Sequence, residues 1–200
     1  MKYREIFSFF CYNSIGGVMR CSWVNEKNEL YVKYHDDEWG IPSYEDKYLF
    51  EMLLLESFQA GLSWECILNK RESFKEAFDN FDYIKISEYN DDKINELMNN
   101  KKIIRNKLKI KSAINNAKVF MNIQKEYGSF SNYIWHFTNN EVIKNMNDIF
   151  NTTSSLSDTI SKDLKNRGMN FVGSTIIYSY LQAIGIINDH ELKCSWRAYE

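Results

Sequence analysis

Proline is almost missing, with Pro42 the only one in 200 residues, and glycines number just eight. So few chain breakers argue against a turn-dense architecture and leave room for helices. An excess of one charge sign is missing too. The formal net charge of −2 gives no global pull toward a polyanion, so any nucleic-acid contact has to rely on a local basic surface. No apolar run reaches the roughly eighteen residues that a membrane-crossing helix needs, so no membrane association is expected. Cysteine is sparse and scattered: Cys11, Cys21, Cys66 and Cys194 do not resemble the dense framework of a small secreted domain. Reduced thiols in a cytoplasmic protein fit better.

What is present supports one substantial core. A hydrophobic fraction of 44%, with 16% aromatic residues, suffices for a single domain in a chain too short for two ordinary ones. Residues 1–18 stand apart. Lys2 and Arg4 precede IFSFFCYNSIGGV, superficially the charged start and apolar stretch of a signal peptide, but Tyr12, Asn13 and Ser14 break that stretch. The competing reading is a dispensable extension or an early start site, because Met19 immediately precedes the first organised segment. The expected division is therefore an extension over 1–18 and one domain over 19–200.

Apolar residues recur at spacings of three and four among Lys, Glu and Asn, which predicts a mainly helical, all-α fold. Helices are expected over 46–60, 65–78, 91–100, 107–126 and 155–166. The segment 171–187 is apolar nearly all round and reads as the buried central helix. In 46–60, Leu49, Met52, Leu53, Glu56 and Ala60 share one face, which puts a carboxylate on an apolar stripe.

Several groups of residues could carry chemistry. His190 and Cys194 lie four apart, so a helical turn would set an imidazole and a thiolate on one face. Cys21 and His35, with thirteen residues between them, would complete a Cys₂His₂ set suited to Zn²⁺. On spacing alone, buried cysteines and surface histidines are the simpler explanation, and four protein ligands would make the metal structural rather than catalytic. Tyr34, Trp39, Glu56 and Trp64 concentrate in YHDDEWG and LESFQAGLSW. Aromatic faces beside a carboxylate suit a flat cationic ring, although tryptophans in a core and a Glu56 turned to solvent or paired with a lysine account for the same pattern. The segment 101–118 carries Lys101, Lys102, Arg105, Lys107, Lys109, Lys111 and Lys118 without an acidic residue, so it is either a phosphate-binding surface or a solvated helix face. Ser179 and Gln182 are polar positions inside the apolar final helix, where each needs a partner or a ligand.

Taken in order, RCSWV at 20–24, LYVKYHDDEWGIP at 30–42, LFEMLLLESFQAGLSW at 49–64, IIRNKLKI at 103–110 and RGMNFVGSTIIYSYLQAIGIINDHELKC at 167–194 make the chain resemble the 3-methyladenine DNA glycosylase I family. The resemblance implies an all-α helix-hairpin-helix glycosylase domain with its termini stapled by one structural zinc, held by Cys21, His35, His190 and Cys194. It implies a base pocket of Trp23, Tyr31, Tyr34, Trp39, Glu56, Trp64 and Ser179. In that pocket Trp64 stacks on the purine, Glu56 bonds its edge and offsets its charge, and Tyr34 helps fix the ring. Gly61 and Leu62 correspond to the segment approaching the gap left by the extruded base, with Leu62 as the wedge. Lys101, Lys102, Arg105 and Lys107 fall in the basic hairpin.

The implied partner is double-stranded DNA containing alkylated bases, with free 3-methyladenine and an abasic site as products, no strand cleavage, and no obligate protein partner. The family often has glycine where this chain has Lys102 and Leu108, which questions the hairpin geometry if a left-handed backbone is needed there. A non-catalytic damage-binding protein and a zinc-stapled interaction module are the alternatives.

Overall fold

In a computed structural model, residues 17–146 and 149–197 are described; the apolar stretch within 1–16, with Cys11, lies outside them. Ten α-helices are present among the described residues. Short polar caps start most of them. The Asn28 side chain accepts from the Leu30 amide to open α1 (Glu29–Asp37), which buries Tyr34 and His35. Helix α2 (Asp46–Gln59) follows, then α3 (Trp64–Leu68) and α4 (Arg71–Ala77). A 3₁₀ turn over Asp79–Phe81 leads to α5 (Tyr83–Ser87), capped by Asp82, and α6 (Asp91–Asn99), capped by Asn90. Helix α7 (Lys107–Tyr127) starts at Asn106, whose side chain accepts from the Leu108 and Lys109 amides. Next come α8 (Phe130–His136), strand β1 (Ile143–Lys144), α9 (Ser155–Asn166), α10 (Ser174–Ala183) and strand β2 (Ile187–Asn188).

The expected helices over 91–100, 107–126 and 155–166 agree with α6, α7 and α9 to within a residue. Two expectations need correction. The 65–78 helix is split into α3 and α4, because the chain caps at Asn69 and re-enters at Lys70 with φ −108° and ψ 0°. The 171–187 segment is helical only over Ser174–Ala183 and then becomes strand, because Gly185 turns the chain at φ +77° where a Cβ would come within 2.3 Å of the Ile41 carbonyl carbon and the Pro42 nitrogen. The mainly helical, all-α expectation agrees with the fold, to which β1 and β2 add one two-residue parallel pair joining Ile143 to Ile187.

The longest unbroken buried run of any helix among the described residues lies in α2, in which Leu49, Phe50 and every residue from Met52 to Phe58 are buried, Glu56 among them. It packs against α7, α8 and α10. Asp46 at its start accepts from the Phe130 and Ser131 amides, which fixes the entry to α8. Asn116 of α7 donates to the Asn170 carbonyl and accepts from its amide, steadying the loop that leads into α10. The carboxylate helix is thus clamped between the helix after the basic turn and the helix carrying Ser179. No helix among the described residues is long and apolar enough to cross a membrane.

Candidate active site and metal centre

Helices α1, α2, α3 and α10, with the turn before α1, enclose a cavity of about 310 Å³. Trp23, Tyr31, Tyr34, Trp39, Glu56, Trp64 and Ser179 all line it, so residues from four separate sequence blocks meet at one place. The aromatic walls are tilted against one another: ring centroids lie 5.2 Å apart for Tyr34–Trp64, 5.4 Å for Trp23–Tyr31 and 4.8 Å for Trp23–Trp39. Offset and tilted contacts of this kind hold the rings rigid and leave faces for a flat ligand.

Glu56 neither reaches solvent nor pairs with a lysine. It is 2% exposed, and its Oε2 is buried without a hydrogen-bond partner. Burial pushes its carboxyl up to about 8, so in the empty cavity near neutral pH the proton stays on. Burial also raises the Tyr34 phenol, helped by the Glu56 charge, and keeps it a neutral donor. The arrangement is an aromatic-walled slot in which the buried Glu56 carboxyl lacks a counter-charge. A cationic ring supplies one.

Further residues line this cavity that the sequence did not single out for it, among them Gln59, Tyr178 and Asp189. Asp189 Oδ2 accepts from the Tyr178 hydroxyl at 2.7 Å and from Gln182 Nε2 at 2.6 Å, which gives the polar Gln182 of α10 its partner. The acid adjoining His190 in NDHE was the available signal.

Cys21, His35, His190 and Cys194 are all buried, and their ligand atoms lie within 4.8 Å of one another. Sγ to imidazole nitrogen distances are 3.4 Å for Cys21–His190, 3.4 Å for Cys194–His190 and 3.5 Å for Cys194–His35. Tetrahedral zinc with ordinary Zn–S and Zn–N bonds sets such ligands about 3.5 Å apart, so the donor set fits the ion. The outer contacts fit as well. Asp36 Oδ1 lies 2.8 Å from His35 Nδ1 and the Trp39 carbonyl 3.3 Å from His190 Nε2, leaving the opposite nitrogens to face the sulfurs. Contact between the sulfurs raises the Cys21 thiol and lowers that of Cys194, so two thiolates need a cation between them. The cluster could hold a metal ion, and it underlies the cavity wall: Trp23 packs on His35 at 5.3 Å and Trp39 on His190 at 4.7 Å. It also joins the two ends of the described chain, where Ser195 donates its amide to the Met19 carbonyl and Ser22 bonds Glu191.

Beside the cavity, Gly61 adopts φ +82° and presents Leu62, which is 40% exposed. Lys101, Lys102, Arg105 and Lys107 are exposed on the turn between α6 and α7. Lys102 pairs loosely with Glu76, at 3.8 Å. Neither Lys102 nor Leu108 has a left-handed backbone, so replacing glycine strains nothing at either position. Lys109 departs from the basic surface on which the sequence placed it, for it is buried with its ammonium bonded to backbone carbonyls.

The methyladenine glycosylase family profile matches residues 23–198. DNA-3-methyladenine glycosylase 1 of Escherichia coli K12 is 40% identical over 178 residues, covering 88% of this chain and 95% of that protein. DNA-3-methyladenine glycosylase of Haemophilus influenzae Rd is 39% identical with coverages of 88% and 96%. Among solved structures, a 3-methyladenine DNA glycosylase I superposes with a TM-score of 0.86 at 39% identity, covering 89% of this chain and 99% of that one. The Staphylococcus aureus enzyme, solved to define 3-methyladenine recognition, superposes at 0.84 with 34% identity and coverages of 87% and 94%. Agreement of this extent, in sequence and in backbone alike, means that the chain belongs to the methyladenine glycosylase family.

Proposed function

We propose that this chain is a monofunctional DNA glycosylase, comprising residues 19–200, that removes 3-methyladenine from alkylated double-stranded DNA and leaves an abasic site. The observation that carries the reading is Glu56, a carboxyl group buried without a counter-charge in an aromatic slot. Methylation at N3 makes adenine cationic while it is still attached to its sugar. Stacking of that ring on Trp64, with Tyr34 helping to fix it, favours the ionised form of Glu56, which bonds the purine edge; neutral adenine offers no such gain. Trp23, Tyr31 and Trp39 complete the walls, and Ser179 the polar end.

The base leaves readily. When the C1′–N9 bond breaks, its electron pair neutralises the ring and water adds to C1′, losing a proton to solvent. Glu56 and Tyr34 therefore act by binding and charge more than by proton transfer, and with no lysine among the described residues lining the pocket to form a Schiff base at C1′, the strand is left uncut. Lys101, Lys102, Arg105 and Lys107 hold phosphates, while Gly61 and Leu62 enter the gap left by the extruded nucleotide. Cys21, His35, His190 and Cys194 hold one structural Zn²⁺ that supports the pocket wall and suits a reducing cytoplasm, where the thiols stay free to bind it.

The test is release of base from methylated duplex DNA, followed by chromatography. Free 3-methyladenine with intact, alkali-labile strands is the expected result. Tight binding of lesion DNA with no release above background replaces the enzyme with a damage-binding protein.

A further inference from the structure

Lys109 sits in the first turn of α7, between the exposed Lys107 and Lys111, yet is only 6% exposed. Its Nζ donates to the carbonyls of Phe58 and Ala60, both at 2.7 Å. These belong to the C-terminal end of α2, where carbonyls have no intrahelical partner and the helix dipole is negative. An ammonium answers both needs. Burial of a lysine costs desolvation, which lowers its pKa, so a surface helix would gain nothing from placing it there. The contact spans 49 positions in the chain to reach Ala60 and 51 to reach Phe58.

The carbonyls it holds lie at a sensitive point. Two residues before Phe58 is Glu56, and immediately after Ala60 come Gly61 and the exposed Leu62, whose amide returns to the Gln59 carbonyl. On the other side, α7 continues directly from the turn carrying Lys101, Lys102, Arg105 and Lys107. Lys109 is therefore a polar tie between the turn that would grip phosphates and the turn that would enter the base stack.

Building on the function proposed above, we propose that Lys109 is a positioning residue that fixes the Gly61–Leu62 turn to the start of α7, so that phosphate grip and Leu62 insertion act as one rigid unit. A duplex needs both actions in register. A single strand needs no wedge, and the free base needs neither.

Lys109→Met keeps the aliphatic stem and removes the donors. It is compared with wild type and Lys109→Arg in kcat/KM on methylated duplex and on methylated single-stranded oligonucleotides, and in affinity for free 3-methyladenine by tryptophan fluorescence. For Lys109→Met a loss of roughly tenfold or more is expected on duplex, within twofold on single strand, and none in free-base affinity; Lys109→Arg, which can still donate to both carbonyls, recovers most of the duplex rate. Equal losses on all three readouts, or a duplex rate equal to wild type, overturn the proposal. Should Lys109→Met fail to fold by circular dichroism, Lys109→Gln is read by the same duplex-to-single-strand ratio, with an unchanged ratio counting against the tie. Wild-type protein that releases no base refutes the glycosylase reading alone, and the contrast is then read in duplex against single-strand affinity.

Discussion

Glu56 shows how little a residue type says without its surroundings. On the sequence it shares an apolar stripe with Leu49, Met52 and Leu53, a pattern that a solvent-facing or lysine-paired carboxylate satisfies as well. The structure removes both options, since the residues on either side of it in α2 are also buried and no cation reaches it. Its stability effect has a definite sign. The folded carboxyl, at about 8 against an ordinary 4.5, favours the protonated form. Stability from this group is therefore full below about pH 4.5 and is lost as pH rises through 8, on the order of a few kcal/mol in total. Glu56→Gln has no such loss. Thermal melts from pH 5 to 9 should show wild type falling progressively below Glu56→Gln by several degrees, and parallel curves would mean that Glu56 ionises freely in the folded chain.

At the scale of elements, the long helices were legible and their connections were not. Helices α6, α7 and α9 carry a clean apolar period and side-chain caps at Asn90, Asn106 and Ser154. Helices α5 and α8, of five and seven residues, are too short to display a period, and β2 lies in an apolar run that suits strand and helix equally. The metal ligands were suggested by spacing, but their closure depends on pairing the first described residues with the last, which no local pattern encodes. Because Trp23 and Trp39 pack on the cluster histidines, metal and pocket should fail together. Elemental analysis should find close to one zinc per chain. Cys194→Ser should lose it, melt several degrees lower and bind free 3-methyladenine at least tenfold more weakly. A metal-free protein with wild-type stability would count against a structural site.

Across the whole molecule, the pocket gathers residues from 23 to 191, and the seven members legible in the sequence, Trp23 to Ser179, came from ordered family blocks and not from any one pattern. The polar rim is less visible in the sequence: Asp189 adjoins the zinc-ligand candidate His190, and Lys109 merges with neighbouring lysines that differ from it only in burial. The helical frame closes on itself at Met19 and Ser195. Removing residues 1–18 should therefore leave the excision rate within about twofold, as measured by base release; a large loss would place residues of that segment in the working enzyme. The central claim is that a carboxyl group neutral in the empty pocket ionises against a cationic base. It is tested most directly by kcat/KM for 3-methyladenine excision as a function of pH, which reports groups on the free enzyme. Wild type should rise to an inflection near 8, and Glu56→Gln should be slower by roughly tenfold or more and lack that inflection. The same inflection in both proteins would contradict the account.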